Sequence, residues 1–368
     1  MTLHCVHMFT ETFSRRIRSS ALVGILTGPH GVDRYTEVFD RTWTLDDARA
    51  KVVAVRRQTR RSVTLTLQPN DAWRGFGQGE RSDGKRFLAG QHVNLSVEID
   101  GRRRTRCYSP ANSEGSPVIE LTIGLHDGGL VSSHLFHHAR PGMVLGLDSV
   151  GGDFVMPAVR PRRILLVSGG SGITPVLSML RTLREENFDG EVAFLHYARN
   201  PEEAAYATEL AATPGVKVLH SYTRSNRGDL TGHFGPDHLA AAMPNPEAVF
   251  VCGPPALVTA VRELLPQAQS ESFVPPVIAV PTEASGGAVE FTDSKIEVVD
   301  DGRSILEQAE AAGLNPQNGC RMGICHTCTR RKVSGPVKNL ITGAISTAPD
   351  ENIEICVTAP CGDVQIDL

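Results

Sequence analysis

Hydrophobic and polar positions follow three different rhythms along this chain. From about Lys51 apolar residues alternate with polar ones: Val52, Val53 and Val55, then Val63, Leu65 and Leu67. That period of two predicts half-buried strands. Similar stretches at 90–101, 104–108, 119–125 and 143–147, separated by turn residues, predict an antiparallel β-barrel or sandwich. From Ile164 the rhythm changes to a solid apolar run at 164–167 and further strands at 192–197, 216–221 and 249–252, with helical patterns at 176–183, 201–212 and 256–265 between and after them. Strands alternating with helices predict a parallel sheet covered on both faces. Beyond a Pro- and Gly-rich tether at 274–285 the pattern restarts on a small scale. It has strands at 289–291 and 295–299, a helix over 304–312 closed by Gly313, and a last strand over 353–357 carrying Cys356. The expected division is therefore an extension over 1–45, a barrel over 48–157, an α/β unit over 161–273, the tether, and a small domain over 286–368. Residues 157–163 read as a linker between the first two units.

Residues 1–45 carry Phe9, Phe13, Ile17, Leu22, Ile25 and Leu26 at rough helical spacing, with Arg15, Arg16 and Arg18 between them. A basic amphipathic helix of this kind packs on its own domain or touches a membrane surface or partner. Its apolar run, 21–26, is shorter than the roughly 7–15 residues of a signal-peptide core. No stretch approaches the roughly 18–20 apolar residues of a spanning helix. The expectation is a cytoplasmic protein with no transmembrane segment, associating with a membrane surface through its partner.

Composition narrows the class. Hydrophobic content of 40%, charged content of 21% and a net charge of −4 describe an ordinary globular chain without a nucleic-acid footprint. The charge is uneven: residues 286–368 hold 12 acidic and 7 basic side chains, net −5, which leaves +1 for the rest. An acidic domain on a near-neutral body steers docking towards a basic partner, or serves solubility alone.

The most specific chemistry lies in Asn318-Gly-Cys-Arg-Met-Gly-Ile-Cys-His-Thr-Cys328. Cys320, Cys325 and Cys328 stand at C-x4-C-x2-C, and Cys356 follows at a distance. This is the ligand spacing of a plant-type [2Fe–2S] cluster. Two sulfide-bridged irons need four thiolates, three from one wrapping loop and one from elsewhere. Gly319 and Gly323 are expected to supply the positive φ angles of such a loop. Zinc loops favour paired C-x2-C knuckles, of which there is one here. Cys361 falls outside the pattern and reads as a half-buried packing residue. His134, His137 and His138 tempt a metal reading, but no carboxylate motif accompanies them.

Residues 286–368 resemble a β-grasp ferredoxin domain, which implies Cys320, Cys325, Cys328 and Cys356 as the ligands. Two further motif sets extend the likeness over about 50–368. Arg106-Cys-Tyr-Ser109, followed about twenty residues on by Gly129-Leu-Val-Ser132, resembles the flavin domain of the ferredoxin-NADP reductase superfamily. The resemblance implies that Arg106 neutralises the flavin pyrophosphate, that Tyr108 packs on the flavin, and that Ser109 bonds near its reactive nitrogen. It also implies phosphate-binding amides from Gly129, Val131 and Ser132 at a helix start. Relatives carry a basic residue where Gly124 stands; His126 is the candidate substitute. Ser168-Gly-Gly-Ser-Gly-Ile-Thr-Pro175, between a strand and a helix, forms a dinucleotide phosphate cradle. Its Gly170, Gly172, Thr174 and Pro175 match the superfamily's G-x-G-x-x-P type. Cys252-Gly253-Pro254-Pro255 matches the superfamily's nicotinamide-side cysteine, Phe273 its flavin shield, and Thr223 and Arg224 sit where the second ribose binds. An Arg with no acidic neighbour there suits a 2′-phosphate, hence NADPH with NADH as the alternative.

The fold class expected is thus multidomain, with an antiparallel β-barrel flavin domain, an α/β parallel-sheet nucleotide domain and a β-grasp ferredoxin domain. The cofactors implied are FAD, with FMN as the alternative, a [2Fe–2S] cluster and NADPH or NADH. Ser109 and Cys252 are the residues implied in hydride transfer. Electrons would arrive as a hydride, divide at the flavin and leave singly through the cluster. The acceptor expected is an oxygenase or a membrane-bound di-iron fatty acyl desaturase, with an aromatic-ring hydroxylase or haem monooxygenase as alternatives. A redox sensor with little turnover is the reading from another class.

Overall fold

The structure, a computed structural model, describes residues 36, 38–44, 47–73, 75, 85–273, 286–323 and 326–368. The amphipathic reading of 1–35 and the Cys325 ligand lie outside the described residues, as does the tether. Six strands build the first unit: β1 (Arg49–Thr59), β2 (Ser62–Pro69), β3 (His92–Ile99), β4 (Arg102–Tyr108), β5 (Ile119–Gly124) and β6 (Val144–Gly151). All pair antiparallel in the order β4-β3-β6-β1-β2-β5, and a bridge from Pro110 to Leu121 joins the two edges into a barrel. Strand β5 alternates buried and half-buried residues, as predicted. By contrast β3 buries nearly every side chain, because its polar face is also covered: Ser96 Oγ meets Thr105 Oγ1 at 2.8 Å and Asn94 Oδ1 accepts from Cys107 Sγ at 3.0 Å. Helix α1 (Leu130–His138) packs Val131 and Leu135 into the same core as Leu65, Leu95 and Leu121.

The second unit holds β7 (Arg163–Gly169), α2 (Ile173–Glu185), β8 (Glu191–Ala198), α3 (Ala207–Ala211), β9 (Val216–Tyr222), β10 (Leu230–Thr231), α4 (Pro236–Ala242), β11 (Ala248–Cys252), α5 (Pro255–Leu264) and β12 (Gln269–Glu271). The sheet is parallel in the order β10-β9-β8-β7-β11-β12. From β7 the chain winds outward to β10, then returns to the other side of β7 as β11. The reversal opens a crevice at the carboxyl ends of β7 and β11, where ligands of such sheets bind. Ile164, Leu165, Leu166 and Val167 are all fully buried, because α2 covers one face and α4 and α5 the other.

One expectation fails here. The helix expected over 201–212 is a 3-10 turn, Pro201–Glu203, and the short α3, with Tyr206 at φ 61 between them. That left-handed kink lets the Tyr206 hydroxyl reach the barrel, where Glu120 lies at 2.9 Å and Thr122 also bonds it. Residues 157–162 connect the two units without helix or strand, and Arg160 among them is clamped by Glu186 at 2.8 Å. Arg181 strengthens the same junction, bonding the Ala111 carbonyl at 2.9 Å and Glu120 at 3.1 Å from one side and Glu209 at 2.7 Å from the other.

The third unit comprises β13 (Ala288–Phe291), β14 (Ile296–Val299), α6 (Ile305–Ala311), β15 (Thr329–Ser334), β16 (Val337–Asn339), β17 (Ile345–Ser346), β18 (Glu351–Glu354), β19 (Thr358–Pro360) and β20 (Val364–Ile366). Its main sheet runs β14-β13-β20-β15-β18, with β13 and β20 parallel, the signature of a sheet grasping one helix. Ser304 and Glu307 form a reciprocal capping box at the start of α6, and Ile305, Leu306 and Ala309 are buried beneath it. Cys356 lies in the turn between β18 and β19, not on the strand predicted over 353–357. A ligand that must face a loop is better offered by a turn than by a pleated ladder.

Candidate functional site

The crevice of the parallel sheet is floored by glycine. Gly170–Gly172 forms a single 3-10 turn between β7 and α2, which begins at Ile173. A Cβ on Gly172 would stand 2.3 Å from the Cys252 carbonyl oxygen, so only glycine lets the two loops meet. Thr174 and Pro175 occupy the first turn of α2, where the missing proline N–H leaves no bond unmade. Free amides and the helix dipole at this end make a phosphate cradle. Gly253 and Pro254 follow Cys252 and lead into α5. Thr223 and Arg224 lie at the carboxyl end of β9, tied by their backbone N–H groups to the carbonyls of Ala198 (3.0 Å) and Arg199 (2.9 Å). Arg224 is exposed and has no ion-pair partner among the described residues, whereas Arg227 bonds Glu202 at 2.6 Å.

Cys252 and Glu271 face the barrel at this crevice. They are register partners on β11 and β12. Burial, then the Glu271 charge, pushes the Cys252 thiol well up, so the sulfur is a neutral packing surface and no nucleophile. Burial also pushes the Glu271 carboxyl up to about 8, which keeps it protonated at neutral pH. Glu271 Oε1 lies 3.9 Å from His92 Nδ1, at the start of β3 in the barrel. Val93 pairs with Tyr108, so Ser109 stands one step further on, beside His92. Ser109 is 2% exposed, and its Oγ has no hydrogen-bond partner among the described residues. A buried hydroxyl without a partner costs about 1–3 kcal/mol, which a ligand hydrogen bond relieves. Phe273, two residues beyond Glu271, packs against the core that contains Cys252 and Ala111.

Arg106 lies on the same strand. Its Nη1 donates to the Thr105 and Gly319 carbonyls at 2.8 and 3.0 Å. Burial pushes the Tyr108 hydroxyl up, fitting a ring that packs. Gly129 caps α1 without a side-chain bond. Ser132 Oγ donates back to the Gly129 carbonyl at 3.3 Å, so Ser132 does not cap the helix and the amides of its first turn stay open. The His126 imidazole stands 3.9 Å from where a Gly124 Cβ would be, with Ser171 of the glycine turn equally near. The His134 and His138 rings lie 5.0 Å apart, tilted by 47°.

In the third unit the cluster loop curls through positive φ at Arg321 (57°), Gly323 (74°) and His326 (54°). Gly319, expected to share this role, does not. A side chain at Gly323 would also meet Val357 Cγ2 at 2.8 Å. Met322 N–H points at Cys320 Sγ, 3.3 Å away. Cys356 bonds Cys328, and Cys320 is near enough to act on it. That hydrogen bond, with burial behind it, pushes the Cys356 thiol up. Bound iron reverses this by deprotonating coordinating thiols outright. Among the described residues no three donors close a metal cage, Cys325 lying outside them. The donors described, Cys328 bonded to Cys356 with Cys320 near enough to act on it and the Met322 amide turned towards sulfur, fit part of a thiolate-held cluster.

Comparison with known proteins matches a domain family to each of the three units. The chain matches the oxidoreductase FAD-binding domain over residues 76–155, the oxidoreductase NAD-binding domain over 166–263 and the 2Fe-2S iron-sulfur cluster binding domain over 289–361. It is 33% identical over 361 residues to an NADPH oxidoreductase of Mycobacterium tuberculosis, covering 93% of this chain and 90% of that one. It is 30% identical over 321 residues to the glycine betaine monooxygenase reductase subunit of Pseudomonas aeruginosa, covering 76% and 87%. The chain belongs to the flavin- and NAD(P)-dependent reductases that carry a [2Fe–2S] domain. The fold of the reductase matches phthalate dioxygenase reductase with a TM-score of 0.58 at 23% identity, over 87% of this chain and 97% of that one. Its cofactors are FAD, a [2Fe–2S] cluster and NAD(P)H. No helix among the described residues is long and apolar enough to cross a membrane.

Sequence reasoning missed Glu271 and His92 in the reductase, because only the pairing of β11 with β12 and the packing of the two units reveal them. It also missed a polar rung behind the crevice. Cys252, Ser168, His196 and His220 are successive register partners across four strands, and Ser168 Oγ meets His196 Nδ1 at 2.8 Å. Burial, then His220, pushes His196 from 6.5 down to about 3. The folded value lies below the unfolded one, so the neutral ring's contribution is complete above pH 6.5 and is lost as pH falls towards 3. From pH 7 to pH 5 this residue alone is expected to cost about 2 kcal/mol. His196→Gln, which retains an acceptor for Ser168, is expected to flatten that dependence in urea unfolding at the two pH values.

Proposed function

We propose that the reductase takes a hydride from NADPH at the crevice between β7 and β11 and releases single electrons through residues 320–356 to an oxygenase. The observation that carries this is the meeting of Cys252 and Glu271 from one unit with His92 and Ser109 from the other. FAD bound there supplies the conversion of one two-electron input into two one-electron outputs. The protein's part is positional. Gly170, Gly172, Thr174 and Pro175 hold the nucleotide phosphates, and Thr223 and Arg224 hold the ribose end. Arg106, Gly129, Val131 and Ser132 hold the flavin phosphates, and Tyr108 and Phe273 cover the ring. Ser109 offers its hydroxyl at the reacting edge, Cys252 supplies an apolar wall for the nicotinamide, and Glu271 keeps a proton within the crevice at neutral pH. Cys320, Cys325, Cys328 and Cys356 hold the iron.

Oxygenase systems are favoured as acceptors by the betaine monooxygenase relatives and by a 27% identical stachydrine N-demethylase reductase subunit. A second reading, a di-iron fatty acyl desaturase, is favoured by the long amino-terminal extension. The mycobacterial match over 93% of the chain leaves too few residues aside to omit all of 1–45.

Anaerobic titration with NADPH and then NADH, following flavin bleaching and cluster absorbance, tests the route. NADPH is expected to reduce both centres at lower concentration. Arg224→Gln is expected to lower the NADPH-to-NADH ratio of kcat/KM about tenfold or more, as loss of a charge-assisted phosphate bond of about 1.5–3 kcal/mol requires. A wild-type preference for NADH would sink the assignment.

A further inference from the structure

We propose that Arg106 is a positioning residue for electron passage between the two redox sites, clamping the cluster loop onto the flavin strand with the same guanidinium that faces the flavin phosphate. This rests on the proposed route from flavin to cluster and adds the residue that aligns it. The hydrogen bond from Arg106 Nη1 to the Gly319 carbonyl, 3.0 Å long, joins residues 213 apart in sequence. Gly319 is the residue immediately before Cys320, so the cation stands one peptide unit from a cluster ligand.

The geometry of the guanidinium permits both tasks at once. Arginine carries five N–H donors in a rigid fork. Nη1 spends its two on the Thr105 and Gly319 carbonyls. Nε–H and both Nη2 donors have no partner among the described residues, and they form the edge that grips a phosphate bidentately. One planar group can therefore touch a phosphate and the cluster loop simultaneously; the ammonium of lysine, a point charge with no fixed fork, cannot.

Two consequences follow from the charges. A cluster gains one negative charge when it accepts one electron from the reduced flavin, and a cation beside its loop favours that reduced form. The third unit has a net charge of −5, so a clamping cation also offsets what that unit carries to the interface.

The test is Arg106→Lys in the full chain, loaded with cluster and saturated with FAD. Hydrogen exchange at the amides of 319–322, read by mass spectrometry, is expected to speed up about tenfold or more. After NADPH is mixed in anaerobically, cluster bleaching is expected to lag flavin bleaching by at least about tenfold more than in the wild type, and the cluster's reduction potential is expected to fall. Arg104→Lys, two residues back on the same strand, controls for loss of a guanidinium as such, and its exchange at 319–322 is expected to match the wild type. Exchange, lag and potential all unchanged in Arg106→Lys, with only FAD affinity reduced, would show that Arg106 serves the flavin alone and overturn the proposal. An equal exchange effect in Arg104→Lys would overturn it too. If NADPH never reduces the cluster in the wild type, the proposed route fails instead. The exchange comparison still reads the clamp by itself.

Discussion

Cys356→Ser is expected to strip the iron from the carboxy-terminal domain and cut cytochrome c reduction by about 100-fold or more, while NADPH still bleaches the flavin. The argument begins with the ligand count. A two-iron cluster needs four thiolates, and a serine hydroxyl is a harder, far less acidic donor that binds iron poorly in a thiolate set. Cys356 lies in the turn after β18, 5% exposed, between Ile355 and Val357, which are themselves buried. Exchange of sulfur for oxygen there removes little volume, so the packing of Ile353, Ile355 and Val357 against α6 survives and the defect is chemical. The measurement is iron per chain, with the visible cluster bands, beside parallel assays with ferricyanide and cytochrome c. Loss of cytochrome c reduction with retained ferricyanide reduction identifies the cluster as the exit. A variant that keeps its iron and its cytochrome c rate would remove Cys356 from the ligand set, and the expectation from C-x4-C-x2-C plus a distant fourth cysteine with it.

What could be read from the chain and what could not divide by the range of the interaction. The glycine turn at 168–175, the helix from Ser304 closed by Gly313, and the spacing of Cys320 and Cys328 are local: each forms among residues a few positions apart, so its residue types state its geometry. The alternating and solid apolar runs revealed barrel and parallel sheet for the same reason, since burial on one face or two is written into every second residue. Long-range pairings left no such trace. Nothing in Glu271-Ser-Phe273 says that β12 will align with β11, and that alignment is what puts a protonated carboxyl beside Cys252. Tyr206 interrupts a well-patterned helix because the barrel offers Glu120 and Thr122 to its hydroxyl, a tertiary gain that outweighs local propensity. The Arg106–Gly319 contact is of the same kind.

Gly172→Ala carries the other large effect: NADP+ affinity is expected to fall about 100-fold or more, with hydride transfer failing in step. The methyl group would lie 2.3 Å from the Cys252 carbonyl oxygen, 2.5 Å from its carbon and 2.7 Å from Gly253 N, all backbone atoms that cannot swing aside. Relief requires the turn after β7 and the loop after β11 to part by about 1 Å, a misplacement that by itself costs on the order of 100-fold when it falls on a positioned reactant. Both loops belong to the site. One cradles phosphates and the other carries Cys252, so opening the gap spoils binding and alignment together. The strands beneath remain paired: Ser168 and Cys252 are still register partners, and Leu166 and Phe250 stay buried against α2. Calorimetric titration with NADP+ separates this from unfolding, because flavin content and the visible cluster bands are expected to persist. A variant that binds NADP+ as tightly as the wild type would mean that the nucleotide does not lie across the turn between β7 and α2, and the site would have to be sought elsewhere on the sheet edge.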